Sequence, residues 1–446
     1  MTDFHTGIQR VVRNLAHMAR QVDRECMPVV QACGRWFVMD GEWTPPTSPV
    51  ASISPHRDVW RRGASRLRDA GAYALQRVRK SVVPRRVASA TVDLCRWMRW
   101  SARHRPVEFQ AGDVLLFPDA TWNHRLAPDY AKLRAMGVKT ALCLNDILPV
   151  THEQFFRPRA AARFRDWLDA AAPQVDFFMA ISRTVRDELR DYVLHRFPEA
   201  GFRADCFEWY PLGVALDQTR SDGRVRPEIQ AAFQEGDAGE SSHVRSDRGP
   251  YLIVSTLEPR KNHQLLLDAF EQVWRRHPDA RLCIVGRAGW MVDPLLDRIR
   301  RHSRFGRQLF WFDDLSDTEL HYAYAHSRAF VFPSFAEGYG LPVVEALQHG
   351  LPVIASDTKI HREVAGEFAS YFDPTDASRL AALVEMHHEG RMASKVRDAA
   401  EFHPTQWAES ARVLLKKCRQ VARLLDARAA RSQAESPARV FSHATR

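Results

Sequence analysis

The 446-residue sequence lacks several features that would identify particular classes of protein. It has seven cysteines at scattered spacings and no CxxC pair, so neither a disulfide framework nor a cysteine-based zinc site is indicated. No run of about 18 uncharged apolar residues occurs, and no transmembrane helix is predicted. The N-terminal twenty residues also lack the apolar core of a signal peptide. We therefore expect reduced cysteines and a cytoplasmic location.

Basic residues are abundant but unevenly distributed. The formal net charge is +10, and Lys and Arg are concentrated in residues 57–106 and 411–446, so the rest of the chain is mildly acidic. A protein that binds nucleic acid usually places basic residues around its working surface. The distribution therefore disfavours nucleic acid as a partner, although a basic nucleic-acid-binding α/β protein remains an alternative function.

Short apolar segments alternate with helical ones along most of the chain. The first helix is predicted at residues 8–20, and strands at 27–32, 36–39, 114–117, 140–144, 177–181, 251–255, 281–285, 309–312, 329–332 and 352–355. Strands that alternate with helices favour parallel sheets covered on both faces. The fold class is therefore predicted to be α/β, with a doubly wound sheet in the second half.

Composition divides the chain into domains. Residues 1–216 are predicted to form an N-terminal α/β domain that carries a basic helical insert at 46–106. Residues 217–249 are polar and rich in Ser and Gly, as expected of a linker. A second α/β domain is predicted at 250–405, followed by a C-terminal helix and basic tail at 406–446. Because only five residues precede Thr6, where a strand is expected, we expect the natural chain to begin further upstream.

Three helix starts in the second half have recognisable sequence signals. Asn262 is a good N-cap residue, and Ser316 with Glu319 three residues later matches a capping box. Pro342 suits the first turn of a helix that stops at Gly350. The last of these helices follows a predicted strand at 329–332 and an intervening loop.

The segment 329–350 combines the residue types that a phosphate-binding crevice needs. Gly338 and Gly340 allow a close approach of the backbone to a ligand. The free N–H groups at the start of the following helix suit a diphosphate. Glu337 in the loop and Glu345 in the helix can face the same crevice. Ligands of doubly wound sheets bind at the carboxyl ends of the strands, which is where this segment is predicted to lie.

The stretch Glu337-Gly-Tyr-Gly-Leu-Pro-Val-Val-Glu345 resembles the E-x7-E signature of the retaining GT-B glycosyltransferases of family 4, also called glycosyltransferase group 1, which includes mannosyltransferases. The resemblance implies two Rossmann-like domains that face a central cleft, with the basic insert in the first. It implies that Glu337 is catalytic and orients the donor sugar, and that Glu345 binds the ribose. It also implies donor contacts from Gly338, Tyr339, Gly340 and Leu341.

Other segments carry the same resemblance. After the first strand of the second domain, Arg260 and Lys261 stand where the family binds the nucleotide phosphates, although Thr256 replaces a frequent arginine. Gly286 and Arg287 resemble the next donor loop, and Leu315 lies in the loop that meets the nucleobase. Gly7 resembles the first loop of the family. The last helix is expected to cross back to the first domain.

The strand-end motif that usually reads His-Asp-x-x-Pro has Asn145 in place of the histidine. Asp146 is therefore the better candidate for the acceptor-side catalytic residue. A dehydrogenase is disfavoured because the sequence lacks GxGxxG after its first strands.

By resemblance, the chain is expected to be a retaining hexosyltransferase that uses a nucleotide-diphosphate sugar. GDP-mannose is the favoured donor, with UDP- and dTDP-linked sugars left open. The acceptor is expected to be a glycan or lipid-linked glycan in bacterial surface polysaccharide synthesis. A catalytically inactive glycosyltransferase-like protein is the alternative.

No cofactor or metal ion is expected, since the adjacent acids Asp313 and Asp314 fall in the base-contacting loop. Tryptophans among the arginines of the basic insert suit an anionic membrane surface at the inner face of the cell membrane. A solvated insert that packs on the first domain explains them equally well.

Overall fold

The computed structural model describes residues 7–32, 35–38, 105–117, 130–214, 223–234, 249–391 and 396–435. The chain divides into two compact units, residues 1–111 and residues 112–446. Most of the predicted basic insert at 46–106 lies outside the described residues, so its relation to a membrane stays a prediction.

The first unit contains one amphipathic helix and one hairpin. Helix α1 (Gly7–Val22) buries Val11, Val12, Leu15 and Ala19, which recur at helical spacing along one face. Strands β1 (Val29–Ala32) and β2 (Arg35–Val38) pair antiparallel. The Val38 N–H donates to the carbonyl of Arg105 at 2.8 Å, which ties the hairpin to the end of the unit.

The second unit begins with a four-stranded parallel sheet in the order β3-β4-β5-β6. Its strands are β3 (Val114–Phe117), β4 (Lys139–Leu144), β5 (Phe177–Ala180) and β6 (Phe207–Trp209). All four residues of β5 are buried, as expected of a strand covered on both faces. The carboxyl ends of β4 and β5 lead into residues 145–147 and Ser182, which border the candidate site described below.

A six-stranded parallel sheet forms the rest of the second unit, in the order β12-β11-β10-β7-β8-β9. Its strands are β7 (Tyr251–Val254), β8 (Leu282–Val285), β9 (Leu309–Phe312), β10 (Ala329–Phe332), β11 (Val353–Ser356) and β12 (Ala369–Phe372). The order reverses between β7 and β10, so the chain winds to one side from β7 to β9 and to the other from β10 to β12. Such a switch point opens a crevice at the carboxyl ends of the two central strands.

Helices connect these strands. Those of the first sheet are α2 (Tyr130–Ala135), α3 (Leu148–Thr151), α4 (Pro158–Ala171) and α5 (Arg183–Arg196). Those around the second sheet are α6 (Pro227–Phe233), α7 (His263–Arg276), α8 (Asp293–Arg301), α9 (Asp317–Ala325), α10 (Leu341–Gln348), α11 (Lys359–Ala365) and α12 (Ala377–His388).

The last helix, α13 (Trp407–Glu435), returns to the first sheet, as expected. Lys417 on this helix pairs with Glu208 of β6 at 2.8 Å, and Asp426 pairs with Lys139 of β4 at 3.0 Å. Both ion pairs place the helix against the first sheet. None of the helices in the described part of the chain has the length and apolar content needed to cross a membrane.

Three local features differ from the sequence predictions. Residues 227–233, inside the predicted linker, form α6, which buries Ile229 and Phe233 in the core of the second sheet. Strand β12 was not predicted, because its four residues lie beyond the last apolar run that was recognised.

Asn262 is the N-cap residue of α7, as predicted, but its side chain does not make the hydrogen bond expected of a cap. The residue adopts a left-handed backbone conformation with φ of 58°, and no cap hydrogen bond forms. Its amide nitrogen donates instead to the carbonyls of Pro333, at 3.2 Å, and Pro374, at 2.8 Å. By contrast, the capping box of Ser316 and Glu319 is present as predicted.

Candidate donor-binding site

The loops that follow β7 and β10 meet at the switch point of the six-stranded sheet. Glu337, in the loop after β10, accepts hydrogen bonds from Arg260 Nη1 at 2.7 Å and from Lys261 Nζ at 2.5 Å. Ser334 Oγ donates to the same carboxylate at 2.5 Å. Two residues predicted for phosphate binding and the residue predicted for catalysis are thus in direct contact, although 76 positions separate Lys261 from Glu337.

The environment holds Glu337 in its charged form. Burial alone would raise the pKa of this carboxyl group, but the charges of Arg260 and Lys261 and the hydrogen bonds to it lower the pKa to about 2. Lys261 is 6% exposed, and burial together with the neighbouring Arg260 lowers the pKa of its ammonium group. Glu337 is therefore an anion at neutral pH and cannot act as a general acid there.

A second buried carboxylate, Glu258, completes the charge balance around Arg260. Arg260 Nε lies 2.6 Å from Glu258 Oε1, and the same guanidinium donates to the carbonyl of Ala336 at 2.9 Å. Burial raises the pKa of Glu258, against the lowering effect of the two cations. Sequence reasoning missed this residue, although an acid two positions before two cations in a loop after a strand is a usable signal for an ion pair.

The four-stranded sheet contributes the opposite wall of the site. A Cβ atom on Gly338 would lie 2.2 Å from the carbonyl oxygen of Asn145, so only glycine allows these two loops to approach each other. Ser182 Oγ donates to the carbonyl of Gly338 at 2.9 Å and also caps α5 through the N–H of Val185. The glycine predicted to approach a ligand thus lies against the loop after β4.

Asp146 belongs to this wall, and the charges of the ion cluster act on its carboxyl group. Burial raises the pKa of its carboxyl group, opposed first by the charge of Arg260 and by the N–H of Leu148, which donates to Oδ1 at 3.1 Å. The negative charge of Glu337 raises the pKa further. Three carboxyl groups, Asp146, Glu258 and Glu337, are therefore coupled to two cations, and burial raises the pKa of Asp146 and of Glu258.

Further contacts between the two sheets surround the site. Glu363 of α11 accepts hydrogen bonds from the N–H groups of Arg183, at 2.6 Å, and Thr184, at 2.8 Å, which are unsatisfied donors in the first turn of α5. Trp290 Nε1 donates to the carbonyl of Phe155 at 2.9 Å. Both walls of the crevice are fixed by specific hydrogen bonds.

Glu345 is more enclosed than its predicted role suggests. It is the fifth residue of α10, hence in the second turn rather than the first, and only 3% of it is exposed. Its Oε2 accepts a hydrogen bond from Tyr324 at 3.0 Å, and the ring of His349 stacks on Tyr324 at 5.1 Å. Its assignment to the ribose stays a prediction, one that requires this carboxylate to open toward a ligand.

The remaining residues predicted to bind the donor lie in loops at the carboxyl ends of the strands of the same sheet. Gly286 has a φ of 147°, and a Cβ there would lie 1.9 Å from the carbonyl of Ser255. Arg287 follows it with an exposed side chain, and Leu315 packs partly buried against the core. Gly340, with a φ of 91°, precedes Leu341 at the start of α10.

Tyr339, between these glycines, donates its hydroxyl to the carbonyl of Leu212 at 3.3 Å, and burial raises the pKa of the phenol to about 12. Gly7 begins α1 in the first unit. Its predicted contact with donor phosphates stays a prediction.

His361 is a second residue that sequence reasoning missed. It is fully buried, and its Nδ1 lies 2.9 Å from the carbonyl oxygen of Ser356, so that nitrogen carries the proton. Its Nε2 has no hydrogen-bond partner among the described residues and lies about 4.0 Å from where a Cβ of Gly340 would be. Burial lowers the pKa of the imidazole. The Nε2 atom of a neutral imidazole, which can accept a hydrogen bond, thus lies close to the start of α10.

Comparison with known families identifies what the second sheet resembles. The family described as "Glycosyl transferases group 1" matches residues 240–401, which include every strand of the six-stranded sheet. The candidate residues from Arg260 to Glu345 all fall within this match.

Curated relatives are mannosyltransferases. The chain is 32% identical over 314 residues to the serotype-specific mannosyltransferase WbdA of Escherichia coli, covering 70% of this chain and 37% of WbdA. It is 37% identical over 141 residues to the O-antigen chain mannosyltransferase B of Escherichia coli, covering 31% of this chain and 36% of that protein. The chain thus spans little more than a third of the length of these relatives.

Among solved structures, Anabaena Alr3699/HepE in complex with UDP and glucose is similar with a TM-score of 0.47 and 19% identity, over 71% of this chain and 78% of that one.

Proposed function

We propose, from the match of residues 240–401 to the group 1 glycosyl transferases, that the chain transfers a hexose from a nucleotide-diphosphate sugar. Because its curated relatives are mannosyltransferases, we propose a mannosyltransferase-like protein of the GT-B class, with mannose as the sugar and GDP-mannose as the donor. A relative named as a GDP-mannose-dependent mannosyltransferase, from Mycolicibacterium smegmatis, supports this choice at 26% identity over 202 residues. The proposed acceptor is a glycan or lipid-linked glycan of a bacterial surface polysaccharide.

The observation that carries the proposal is the cluster of Arg260, Lys261 and Glu337 at the switch point. A departing nucleoside diphosphate needs fixed positive charge, and Arg260 and Lys261 supply it from one loop. The start of α10, in the adjacent loop, adds backbone N–H groups and the positive end of a helix dipole. Bound diphosphate would compete with Glu337 for both cations.

Release of Glu337 from its cations would free a charged acceptor for the donor sugar. Its carboxylate stays ionised at neutral pH and can accept hydrogen bonds from sugar hydroxyl groups. In the proposed reaction Glu337 orients the sugar while the bond between C1 and the diphosphate breaks and the acceptor hydroxyl oxygen bonds to C1 from the same face. The departing diphosphate takes the proton of that hydroxyl group, and the anomeric configuration is retained. In the proposal, Asp146, whose carboxyl pKa is raised by burial, lies on the acceptor side.

A thermal-shift panel of GDP, UDP, dTDP and ADP tests the donor assignment. A nucleotide present at one hundred times its Kd adds about 2.7 kcal/mol to the free energy of unfolding, which is readily measured. We expect GDP to give the largest shift. A larger shift with UDP or dTDP would overturn GDP-mannose, and no shift with any nucleotide would overturn the proposed function.

Transfer itself is tested with GDP-[14C]mannose and an acceptor glycan, comparing wild type with Glu337→Gln. Loss of one positioned charge in a catalytic site lowers kcat by about 10²-fold, and we expect a loss of this size. Glu367→Gln is the matched control, because Glu367 is an exposed residue remote in sequence from the ion cluster. Near wild-type transfer by folded Glu337→Gln would refute the role of Glu337.

A further inference from the structure

A cluster of side chains that can bind a metal lies at the amino ends of the strands of the six-stranded sheet, whereas the donor loops follow the carboxyl ends. His277, Asp279 and His388 each offer one ligand atom, and these atoms lie within 4.8 Å of one another. His277 and Asp279 precede β8, at the end of α7, and His388 ends α12. Because α7 has 14 residues, it carries this cluster about 20 Å from the loop that holds Lys261.

We propose that His277, Asp279 and His388 bind a Zn²⁺ ion, with Glu389 as the fourth ligand. Imidazole nitrogen and carboxylate oxygen are both common zinc ligands, and four of them satisfy a closed tetrahedral site. Nothing in this assignment depends on sugar transfer, and the site belongs to the structural rather than the catalytic type.

The distances between the ligand atoms suit a tetrahedron. Bonds of about 2.0–2.1 Å to zinc place neighbouring ligand atoms roughly 3.4 Å apart. His388 Nε2 lies 3.1 Å from Asp279 Oδ2, and His277 Nε2 lies 3.4 Å from Glu389 Oε1. Two of the separations between ligand atoms are therefore already close to those of a tetrahedron, and the ligand atoms of His277, Asp279 and His388 lie within 4.8 Å of one another.

The backbone around the cluster is fixed and favours a cation. His277 closes α7 by donating its N–H to the carbonyl of Val273 at 2.8 Å, and Glu389 closes α12 by donating to Glu385 at 3.0 Å. Two helix C-termini thus converge on the cluster, and each carries the negative end of a helix dipole. Ligands anchored at helix ends lose little conformational freedom when they bind a metal.

Nearby arginines define what the ion must displace. Arg391 pairs with Glu389, and Arg328 donates to the backbone carbonyl of His388 at 2.7 Å. Zinc binding requires Glu389 to exchange its arginine for the metal. The Nδ1 atom of His388 is buried and has no hydrogen-bond partner among the described residues, which shows that this ring is not already committed through both nitrogens.

Titration of the chelator-treated, full-length protein with Zn²⁺ tests the proposal by calorimetry and thermal shift. We expect one Zn²⁺ to bind and to raise Tm. Asp279→Asn and His277→Gln should each weaken the Kd by at least about tenfold, since even residues that only support metal ligands contribute that much. Asp279 is 65% exposed in its side chain, so Asp279→Asn should leave the fold intact, which the Tm of the metal-free variant checks.

His403→Gln is the control for binding elsewhere, because the sequence has 19 histidines and His403 is an exposed one outside the cluster. It should bind Zn²⁺ with wild-type affinity. Co²⁺ used in place of Zn²⁺ should give the visible absorption of tetrahedral cobalt in wild type and lose it in both cluster variants. The site would be overturned if wild type did not bind Zn²⁺ stoichiometrically. It would also be overturned if Asp279→Asn and His277→Gln bound Zn²⁺ with the affinity of wild type.

Discussion

Glu337 should stabilise the fold as well as serve the proposed reaction, and Glu337→Gln separates the two effects. Its folded pKa of about 2 lies below the ordinary value of 4.5 for a glutamate. A difference of about 2.5 pH units corresponds to about 3 kcal/mol of free energy of unfolding at pH 7. Because the folded pKa is depressed, this stability is present above pH 4.5 and is lost as the pH falls toward 2.

Glutamine keeps the shape of the side chain but leaves Arg260 and Lys261 buried with less counter-charge. Removal of one partner from a buried ion pair costs about 3–5 kcal/mol, in agreement with the value from the pKa. Urea unfolding at pH 7 should therefore show a large stability difference between wild type and Glu337→Gln. Between pH 7 and pH 3.5 the difference should shrink by about 1 kcal/mol, since the unfolded wild-type chain then binds a proton at Glu337 that the folded chain does not.

The control for this experiment is Glu367→Gln, whose exposed carboxylate should make the variant follow wild type at every pH. The electrostatic reasoning fails if Glu337→Gln is as stable as wild type at pH 7. It also fails if the stability difference stays constant down to pH 3.5, because a pH-independent cost would arise from packing rather than from charge.

Two further variants test the contacts between the sheets. Gly338→Ala should lower the free energy of unfolding, measured in urea, by about 1–3 kcal/mol, because the new Cβ would lie 2.2 Å from the carbonyl oxygen of Asn145. Unchanged stability would contradict this close approach. Ser182→Ala should lower the free energy of unfolding by about 1 kcal/mol more than Thr358→Ala does, because both variants lose an N-cap but only Ser182 also donates to the carbonyl of Gly338. Equal losses would show that this hydrogen bond between the sheets does not stabilise the fold.

Periodicity and turn chemistry were sufficient to predict most of the second sheet. Strands β9 and β10 have the predicted bounds, because each is a short apolar run between turn residues. The capping box at Ser316 and Glu319 was predictable since both partners lie within four residues. Asn262 shows the limit of the same reasoning, because its side chain binds carbonyls of residues more than seventy positions away.

The candidate site could likewise be predicted only in part from the sequence. The motif around Glu337 identified the residue, and the resemblance associated it with a donor, but its ion pairs depend on strand order. Glu337 meets Lys261 only because β10 lies beside β7, an adjacency that sequence order does not state. Glu258 becomes part of the site through Arg260, whose guanidinium group pairs with both Glu258 and Glu337.

Strand order also explains why the charge state of the site could not be predicted from its residue types. An isolated Glu337 would titrate near 4.5, and an isolated Asp146 near 3.8, so both would appear equally ionised at neutral pH. In the folded chain their pKa values move in opposite directions, because Glu337 contacts two cations, whereas burial raises the pKa of Asp146 by more than the charges of Arg260 and Lys261 lower it. The crevice therefore holds one carboxyl group whose pKa is lowered and another whose pKa is raised. Such a pair can serve different steps of one reaction.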